Sequence, residues 1–322
     1  MVRVSPLLQH HINLLTKLFS SITVAQSILV IPGTGKQGRL ATTEFLKRGF
    51  KVHDLIRDPS STVARALVEE GATLHPGDLG NQQSIENALE DVDTIFLSLP
   101  AHPKEFDFAS NVVNAAKKKN IRHVIYTSVA RTGQHESFPF WSGDYPMAGY
   151  WKTKHEVETL LRKANFEFLT ILRPAFFMQN FCGPEVKHMF PGLADTKVLT
   201  LPFDPDTTFD LIDVLDIAKV AAAAAENPQQ YAGKEIELAS EKLTANEIAR
   251  SLSKVSGEEI KLKLISKKES AERIKQGDMV MLALEFQRDT GYAVNLDEAK
   301  SPGIEFTPLS EALLRESLQW ST

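Results

Sequence analysis

Apolar runs alternate with amphipathic segments over the first half of the chain, and this alternation predicts the fold. Runs rich in apolar residues predict six strands, at 28–31, 51–56, 72–75, 92–99, 123–128 and 167–172. Single segments of helical periodicity separate them, the longest at 150–164. Strands that are apolar rather than alternating, joined by single helices, are typical of a parallel sheet covered on both faces. With right-handed crossovers, the pattern predicts an α/β fold built on a Rossmann-like, doubly wound parallel sheet.

The pattern becomes mixed after residue 173. Glycine, proline and aspartate interrupt 183–206, and an alanine-rich helix is predicted at 214–226. Thr244 and Glu247 have the spacing of a capping box and predict the start of another helix. Further predicted elements are strands at 235–239 and 260–265 and two or three helices within 257–322. We therefore predict an N-terminal extension at 1–26, a doubly wound domain at 27–175, and a smaller mixed α/β region at 176–322 whose segments near 207–240 complete the sheet.

Composition and charge limit the classes of function. Hydrophobic residues make up 43% and charged residues 24% of the 322 residues, as in ordinary globular proteins. The net charge of -5, without a basic stripe, disfavours nucleic acid or a membrane surface as the partner. The single cysteine, Cys182, excludes an internal disulfide framework, and we expect it to be a small buried hydrophobic residue rather than a nucleophile. The histidines show no metal-site spacing such as H-E-x-x-H, so no metal is expected.

The first 26 residues differ from the rest because no acidic residue precedes Glu44. Residues 6–20 are predicted to form a weak amphipathic helix that is too short and too interrupted to span a bilayer. A loosely packed extension and a mitochondrial presequence both remain open, although Arg3 is the only arginine before residue 27. We expect a cytoplasmic location, with a nuclear one open if the protein is a regulator.

Three glycines follow the first predicted strand with the spacing G-x-G-x-x-G, and a helical pattern begins directly after them. Gly33 and Gly35 let the backbone turn tightly and approach a pyrophosphate without an intervening Cβ. Gly38 lets the next helix lie close to the strand, so that its N–H groups and positive dipole end face the phosphates. Lys36 adds positive charge within the turn. The motif alone is weak, but its place between a strand and a helix is the one that a dinucleotide site requires.

The ends of the next strands carry residues suited to the adenosine half of such a cofactor. Arg57 follows the second strand, where it either forms a bidentate contact with the 2′-phosphate of NADP or remains a solvated charge. Asp78, with Leu79 beside it, follows the third strand and either accepts from an adenine amino group or caps a plain turn. Ser98 and Leu99 end the fourth strand, where the backbone passes the adenine ribose. Because ligands bind beyond the carboxyl ends of parallel strands, these residues predict an NADP(H) site.

Tyr150 and Lys154 lie four residues apart at the start of the helix that follows the fifth strand. On a shared helix face, the lysine is expected to lower the pKa of the phenol, so that Tyr150 exchanges a proton near neutral pH. Ser128, at the end of the fifth strand, is then placed to hydrogen-bond a substrate oxygen. Tyr-x-x-x-Lys is common by chance, so a packed Tyr150 and a solvated Lys154 remain open. The large apolar residues expected to wall a substrate pocket, with an ordinary core as the alternative, are Trp141, Trp151, Phe176, Phe177, Met178 and Phe181.

Together these motifs resemble the NmrA-like family, atypical members of the short-chain dehydrogenase/reductase superfamily, over about residues 27–320. The resemblance is carried by P-G-T-G-K-Q-G at 32–38, L-I-R-D-P at 55–59, G-D-L at 77–79, Y-T-S at 126–128, K-H-E-V-E at 154–158, I-L-R-P-A-F-F-M-Q-N-F at 171–181 and G-K-E-I-E-L-A-S-E-K-L-T-A-N-E-I-A at 233–249, the last similar to the fungal branch. It implies a Rossmann domain, a smaller C-terminal domain and NADP(H) binding. The implied cofactor contacts are Thr34, Gly35, Gln37, Gly38, Arg57, Asp78, Lys154, Phe177, Met178, Gln179 and Asn180. Pro32 stands where the family usually has the first glycine of its turn, so we expect the turn to differ there.

The family divides in function, and the resemblance leaves both branches open. Some members are redox sensors that bind NADP(H) and regulate transcription factors, and others are reductases, including enzymes of fungal secondary metabolism. Because sensor members often have a different residue at the position of Tyr150, we expect an NADPH-dependent oxidoreductase that reduces a carbonyl, imine or conjugated alkene of a small organic substrate. The alternative is a non-catalytic sensor whose loop at 133–149 contacts a protein partner.

Overall fold

The computed structural model describes residues 26–142, 144–183, 185–299, 303–316, 318 and 320, and the helix predicted at 6–20 lies outside them. Seven parallel strands form the central sheet: β1 (Ser27–Ile31), β2 (Lys51–Ile56), β3 (Thr73–Pro76), β4 (Thr94–Leu97), β5 (His123–Thr127), β6 (Phe168–Pro174) and β10 (Glu235–Leu238). Their order across the sheet is β10-β6-β5-β4-β1-β2-β3. The order reverses between β1 and β4, which is the predicted doubly wound arrangement.

Five helices connect the first six strands. They are α1 (Lys36–Lys47), α2 (Thr62–Glu70), α3 (Gln82–Ala88), α4 (Glu105–Lys118) and α5 (Ala148–Lys163). Local sequence explains several of their ends. The side chain of Ser61 caps α2 and that of Asn81 caps α3, each by accepting a backbone N–H. Gly71 ends α2 with a φ of 112°, a left-handed conformation that glycine adopts without strain.

The strands are apolar throughout because helices cover both faces of the sheet. In β1, Leu29 and Ile31 pack on one face with α3, α4 and α5, whereas Ile28 and Val30 pack on the other with α1. A later helix, α8 (Val214–Glu226), lies beside α1 on that second face. The first six predicted strands are therefore present, with ends that differ from the predicted ones by at most two residues.

The second half of the chain adds small sheets and short helices. The remaining strands are β7 (Phe176–Phe177), β8 (Val198–Leu201), β9 (Thr208–Ile212), β11 (Glu241–Thr244) and β12 (Lys261–Leu264). The remaining helices are α6 (Glu185–Met189), α7 (Leu193–Thr196), α9 (Pro228–Tyr231), α10 (Ala245–Ser256), α11 (Lys267–Lys275), α12 (Val280–Asp289), α13 (Leu296–Ala299) and α14 (Leu309–Glu316). Strands β11, β9 and β7 form one sheet, and β12 pairs with β8. The capping box of Thr244 and Glu247 is present at α10.

The second half contains more helices than predicted, and it completes the central sheet. Four helices, α11 to α14, lie in the described part of 257–322, where the sequence predicts two or three. The seventh strand of the central sheet, β10, pairs in parallel with β6, so residues from the second half complete one edge of the parallel sheet. Within the described residues, no helix combines the length and the hydropathy needed to cross a membrane.

Candidate functional site

The carboxyl ends of the parallel strands meet along one edge of the sheet. Ile31 ends β1 opposite Leu97 of β4, and Ile56 ends β2 opposite Pro76 of β3. The turn after β1 begins with a cis peptide bond between Ile31 and Pro32, at the position where proline replaces the usual glycine. Because the strand order reverses between β1 and β4, the crevice outside their ends is the position where open sheets of this kind bind ligands.

Two of the three glycines in this turn are required by close packing. A Cβ at Gly38 would lie 2.0 Å from the carbonyl oxygen of Pro32, so α1 approaches β1 this closely only with glycine here. A Cβ at Gly33 would lie 2.5 Å from Oδ1 of Asp54. Gly35 differs, because its φ is -69° and a Cβ would make an ordinary contact, 3.5 Å from Cγ of Pro32. Packing within the protein therefore does not require glycine at position 35.

Helix α1 presents its N-terminus to a cleft beside the turn. Gly35 precedes the helix without a side-chain cap, and the first turn carries no acidic residue. The free N–H groups of that turn and the positive end of the helix dipole favour an anion. The adjoining space, about 290 Å³ and called here the glycine-turn cleft, is lined by Thr34, Lys36, Arg39, Val63, Gln179, Cys182, Gly183, Glu185 and Glu316.

Lys36 reaches across the glycine-turn cleft to the second half of the chain. Its Nζ lies 3.6 Å from Oε1 of Glu185, and burial lowers the pKa of Lys36 although this carboxylate opposes the effect. Burial in the same cleft raises the pKa of the Cys182 thiol to about 12, so the thiol is neutral at physiological pH. The prediction that Cys182 is buried is confirmed.

The residues predicted for the adenosine half lie at the next two strand ends. Arg57 follows β2 directly and is exposed, whereas Asp54, three residues earlier, is fully buried. Asp78 is exposed beyond β3, and its Oδ1 accepts a hydrogen bond from the N–H of Gly80 at 2.7 Å. That contact is the one expected of a turn cap, and the second oxygen of Asp78 stays available to a ligand. Leu79 beside it is half-buried.

Ser98 and Leu99 extend β4 towards the crevice. The N–H of Ser98 donates to the carbonyl oxygen of Ile31 at 2.8 Å, and both side chains are buried. Nζ of Lys154 donates to the carbonyl oxygen of Leu99 at 3.4 Å. The end of β4 is thus held between β1 and α5. Through its hydrogen bond with Lys154, Leu99 links this strand end to the helix that also carries Tyr150.

A second space, of about 410 Å³, lies beside the ends of β5 and β6, and it is called here the apolar cleft. It is lined by Ala101, Ser128, Val129, Met147, Tyr150, Trp151, Pro174, Ala175, Phe176, Phe177, Asn180, Met189, Ala283, Phe286 and Tyr292. The structure therefore brings the predicted Ser128 and Tyr150 into one cleft. The hydroxyl of Ser128 also lies 3.2 Å from that of Thr132, which donates to the carbonyl oxygen of Val129 at 2.7 Å. Ser128 is therefore the donor in this pair, and its hydroxyl has to rotate away from Thr132 before it can donate to a ligand.

The expected effect of Lys154 on Tyr150 is wrong. Nζ of Lys154 lies 2.7 Å from Oε1 of Glu105 and 5.9 Å from the centroid of the Tyr150 ring. Lys154 and Glu105 are both almost fully buried, so the negative charge of the carboxylate balances the positive charge of the lysine. Burial, with Tyr292 and Glu105 nearby, holds the pKa of Tyr150 well above its usual range. Tyr150 is therefore a protonated phenol at neutral pH.

The short 3₁₀ helix Met178–Phe181 connects the two clefts. Gln179 lines the glycine-turn cleft, and Asn180 lines the apolar cleft. Met178 and Phe181 are fully buried in the core of the second half, so only the backbone of Met178 is available to a cofactor. Of the residues predicted to wall a pocket, Trp151, Phe176 and Phe177 line the apolar cleft, whereas Trp141, Met178 and Phe181 are not among its lining.

The partner of Lys154 and two residues that line the apolar cleft were not predicted from the sequence. Glu105 is the first residue of α4, and an acidic residue there is common in any helix because of the dipole. Phe286 and Tyr292 reach the cleft from α12 and the segment after it, which no motif marks. Arg39, which lines the glycine-turn cleft, could have been recognised from the sequence, because it is a basic residue directly after the third glycine of the turn.

Comparison with models of known protein families identifies the family of this chain. The model described as the NmrA-like family matches residues 25–309. The chain belongs to the NmrA-like family. Among its relatives, the "NmrA-like family domain-containing oxidoreductase FrzB" of Cladobotryum sp is 28% identical over 194 residues, which cover 56% of this chain. The match spans 52% of that relative, about half of its length.

Solved structures share the fold of this NmrA-like protein. The NADPH complex of the quinone oxidoreductase QOR2 from Escherichia coli has a TM-score of 0.70 and 22% identity, covering 89% of this chain and 98% of its own. NmrA, a negative transcriptional regulator in complex with NADP, has a TM-score of 0.72 and 19% identity, covering 91% of this chain and 95% of its own. At such identities the likeness shows the fold, and it confirms the predicted Rossmann-like class.

Proposed function

We propose that this NmrA-like protein is an NADPH-dependent oxidoreductase that reduces a carbonyl, imine or conjugated alkene of a small organic substrate. The observation that carries the proposal is the pair of unlike clefts along one sheet edge, a charged one at the N-terminus of α1 and an aromatic one beside Ser128 and Tyr150. A dinucleotide has a charged pyrophosphate and a flat nicotinamide, and the two clefts suit these two parts. Named oxidoreductases among the relatives support the same class of activity.

The glycine turn fits such a cofactor. A Cβ would clash at Gly33 and Gly38, and Gly35 puts no side chain over the uncapped N-terminus of α1. Exposed Arg57, at the end of β2, suits a 2′-phosphate and therefore favours NADP(H) over NAD(H). We assign cofactor contacts to Gly33, Thr34, Gly35, Lys36, Gln37, Gly38, Arg57, Asp78, Leu79, Ser98, Leu99, Lys154, Phe177, Gln179, Asn180 and the backbone of Met178.

Ser128 and Tyr150 perform the chemistry that the protein contributes. When bound, NADPH would supply a hydride to the carbonyl carbon and become NADP⁺. A proton transferred from Tyr150 to the carbonyl oxygen would then complete the alcohol. Hydroxyl groups of Ser128 and Tyr150 donate hydrogen bonds to the substrate oxygen. The raised pKa of Tyr150 keeps its phenol protonated until an alkoxide, a much stronger base, develops on the substrate. Lys154, held by Glu105, places an ammonium group beside Leu99 for the ribose hydroxyls.

The cofactor assignment is tested by calorimetric titration with NADPH, NADP⁺, NADH and NAD⁺. We expect NADPH to bind at least ~10-fold more tightly than NADH, about 1.4 kcal/mol. Arg57→Gln should remove most of this preference while leaving NADH affinity unchanged. Arg122→Gln is the matched control and should behave as the wild type, because Arg122 directly precedes β5 at the amino-terminal ends of the strands, away from the clefts. Equal affinity of the Arg57→Gln variant and the wild type for NADPH would rule out a 2′-phosphate contact.

A second function, a non-catalytic NADP(H) sensor that binds a protein partner, is favoured by one observation. The positive charge of Lys154 is paired with Glu105, and burial raises the pKa of Tyr150. Lys154 therefore does not lower the pKa of this phenol as a catalytic lysine would. The NmrA regulator has the same fold, which is compatible with this alternative. Consumption of NADPH with a panel of aldehydes, ketones, imines and enones separates the two functions. Turnover that falls at least ~100-fold in Tyr150→Phe supports the enzyme, and binding of NADPH without any turnover supports the sensor.

A further inference from the structure

Aromatic rings from both halves of the chain form one continuous wall of the apolar cleft. Trp151 of α5 contacts Phe286 of α12, with ring centroids 4.9 Å apart, and Phe286 contacts Tyr292 at 5.3 Å. Tyr150 continues the wall beside Trp151, at 5.3 Å. Phe177 lines the same cleft. Tyr150, Phe177 and Tyr292 are partly exposed, whereas Trp151 and Phe286 are almost fully buried and support them from behind. The partly exposed rings can take another flat ring in the stacked or edge-to-face geometry that aromatic pairs prefer.

Every described residue that lines this cleft is uncharged. Its polar side-chain groups are neutral, namely the hydroxyls of Ser128, Tyr150 and Tyr292, the amide of Asn180 and the indole N–H of Trp151. The glycine-turn cleft, by contrast, is lined by two basic and two acidic residues. The two clefts therefore select chemically different ligand groups.

The charged groups behind the walls of the apolar cleft are already paired. Lys154 and Glu105 lie 2.7 Å apart, and each is almost fully buried. Burial, with Asp210 nearby, raises the pKa of the Tyr292 phenol, and Asp210 itself pairs with Lys242 at 3.2 Å. An ionic group taken into the cleft would lose its water without gaining a counter-charge. Anionic and cationic substrates are both disfavoured on this ground.

We propose that the apolar cleft selects an uncharged, flat aromatic substrate. Its ring lies against Phe177 and Tyr292, the partly exposed rings of the wall, and its carbonyl or imine accepts hydrogen bonds from Ser128 and Tyr150. The reacting group rests on the proposed oxidoreductase function, whereas the selection of a neutral ring rests on the lining of the cleft alone. Carboxylated, sulfonated and phosphorylated analogues of the same ring are excluded.

Binding is measured apart from turnover, by quenching of tryptophan fluorescence in the free protein and in its NADP⁺ complex. The probes share one skeleton: 2-naphthaldehyde, 6-formyl-2-naphthoate, a trimethylammonium-substituted naphthaldehyde and decahydronaphthalene-2-carbaldehyde. We expect the neutral aromatic aldehyde to bind at least ~100-fold more tightly than the carboxylate and at least ~10-fold more tightly than the other two. Reduction of the same aldehydes by NADPH is measured in parallel. Neutral-ring selection without turnover would keep this inference and reject the proposed reductase activity.

A variant that adds one charge to the wall tests the same point in reverse. Ala283 lines the cleft on α12 and is half-buried, so Ala283→Arg should raise affinity for the carboxylated probe at least ~10-fold and lower affinity for the neutral one. Met279→Arg, directly before α12 at an exposed residue outside the lining, is the matched control. Ala101→Arg, at an exposed lining position, replaces the first variant if that protein fails to fold.

Three results would overturn the inference. They are a wild-type protein that binds the carboxylate or the trimethylammonium probe as tightly as the neutral aldehyde, a decahydronaphthalene probe that binds as well as the aromatic one, and a folded arginine variant whose preference is unchanged. Turnover of the neutral aldehyde without any such preference would keep the proposed function and reject the aromatic selection.

Discussion

Asp54 is a buried carboxyl directly beneath the glycine turn, and its environment makes stability depend on pH. Its Oδ1 accepts a hydrogen bond from the hydroxyl of Thr42 at 2.7 Å, while its Oδ2 is buried without a hydrogen-bond partner in the described chain. Burial raises the pKa of Asp54 to about 7, although the Thr42 hydrogen bond opposes this effect. The folded protein therefore keeps this proton up to about pH 7, whereas the unfolded chain releases it near the ordinary pKa of an aspartate, 3.8.

The consequence is a loss of stability as pH rises. Between 3.8 and about 7 the folded state binds more protons at Asp54 than the unfolded state, so this contribution falls with pH and is constant above that window. From pH 5 to pH 8 the loss is about 3 kcal/mol, because about two pH units of this range lie below the pKa of the folded state and each is worth about 1.4 kcal/mol. Urea unfolding of the cofactor-free protein at both pH values, compared with Asp54→Asn, isolates this contribution. The same change with pH in both proteins would show that Asp54 ionises normally.

At the scale of the element, the packing of α1 on β1 depends on Gly38. An alanine there would place its Cβ 2.0 Å from the carbonyl oxygen of Pro32, a backbone atom that cannot move aside without displacing the strand end. We expect Gly38→Ala to lower the free energy of unfolding by about 3 kcal/mol, as overpacked cores do. Gly35→Ala is the matched control, since its Cβ meets only an ordinary contact and should cost at most about 1 kcal/mol.

The two glycine variants also separate packing from ligand contact. Thermal unfolding followed by circular dichroism gives the stability of each, and calorimetric titration gives its NADPH affinity. Gly35→Ala should fold normally and lose at least ~10-fold in NADPH affinity if a phosphate approaches the turn there. A Gly38→Ala protein as stable as the wild type would contradict the close packing of α1 on β1.

The elements of the first half were predictable because each signal is local. Apolar strands such as β1, capping residues such as Asn81, and the strand–turn–helix around Gly33 and Gly38 follow from a few neighbouring residues. The positions of Arg57 and Asp78 follow as well, since parallel strands must end along one edge. The pairing of Lys154 with Glu105 did not, because it depends on how α4 and α5 pack and outweighs the local spacing to Tyr150.

At the scale of the whole molecule, one buried carboxylate joins the C-terminal helix to the cofactor side. Asp213 is fully buried and accepts two hydrogen bonds from Arg315 of α14, at 2.7 and 2.8 Å. It also accepts from the side chain of Gln179 at 2.7 Å and from the N–H of Leu215 at the start of α8. Gln179 lines the glycine-turn cleft, as does Glu316 of α14. The last described helix thus closes one side of that cleft, which no local pattern in the sequence indicates.

Removing Arg315 should therefore weaken both the fold and the cleft. Arg315→Met leaves Asp213 buried with fewer donors, and we expect a loss of about 2–3 kcal/mol, less than for a fully buried pair because Gln179 and Leu215 still donate. NADPH affinity should fall at least ~5-fold, since α14 loses its anchor beside the cleft and Asp213, which accepts from Gln179, loses its bidentate arginine. Arg250→Met, an exposed arginine on α10, is the control for loss of a positive charge. If Arg315→Met lowers the melting temperature but leaves NADPH affinity intact, Asp213 supports the fold without shaping the cofactor cleft. Urea unfolding and calorimetric titration of the same preparations distinguish these outcomes.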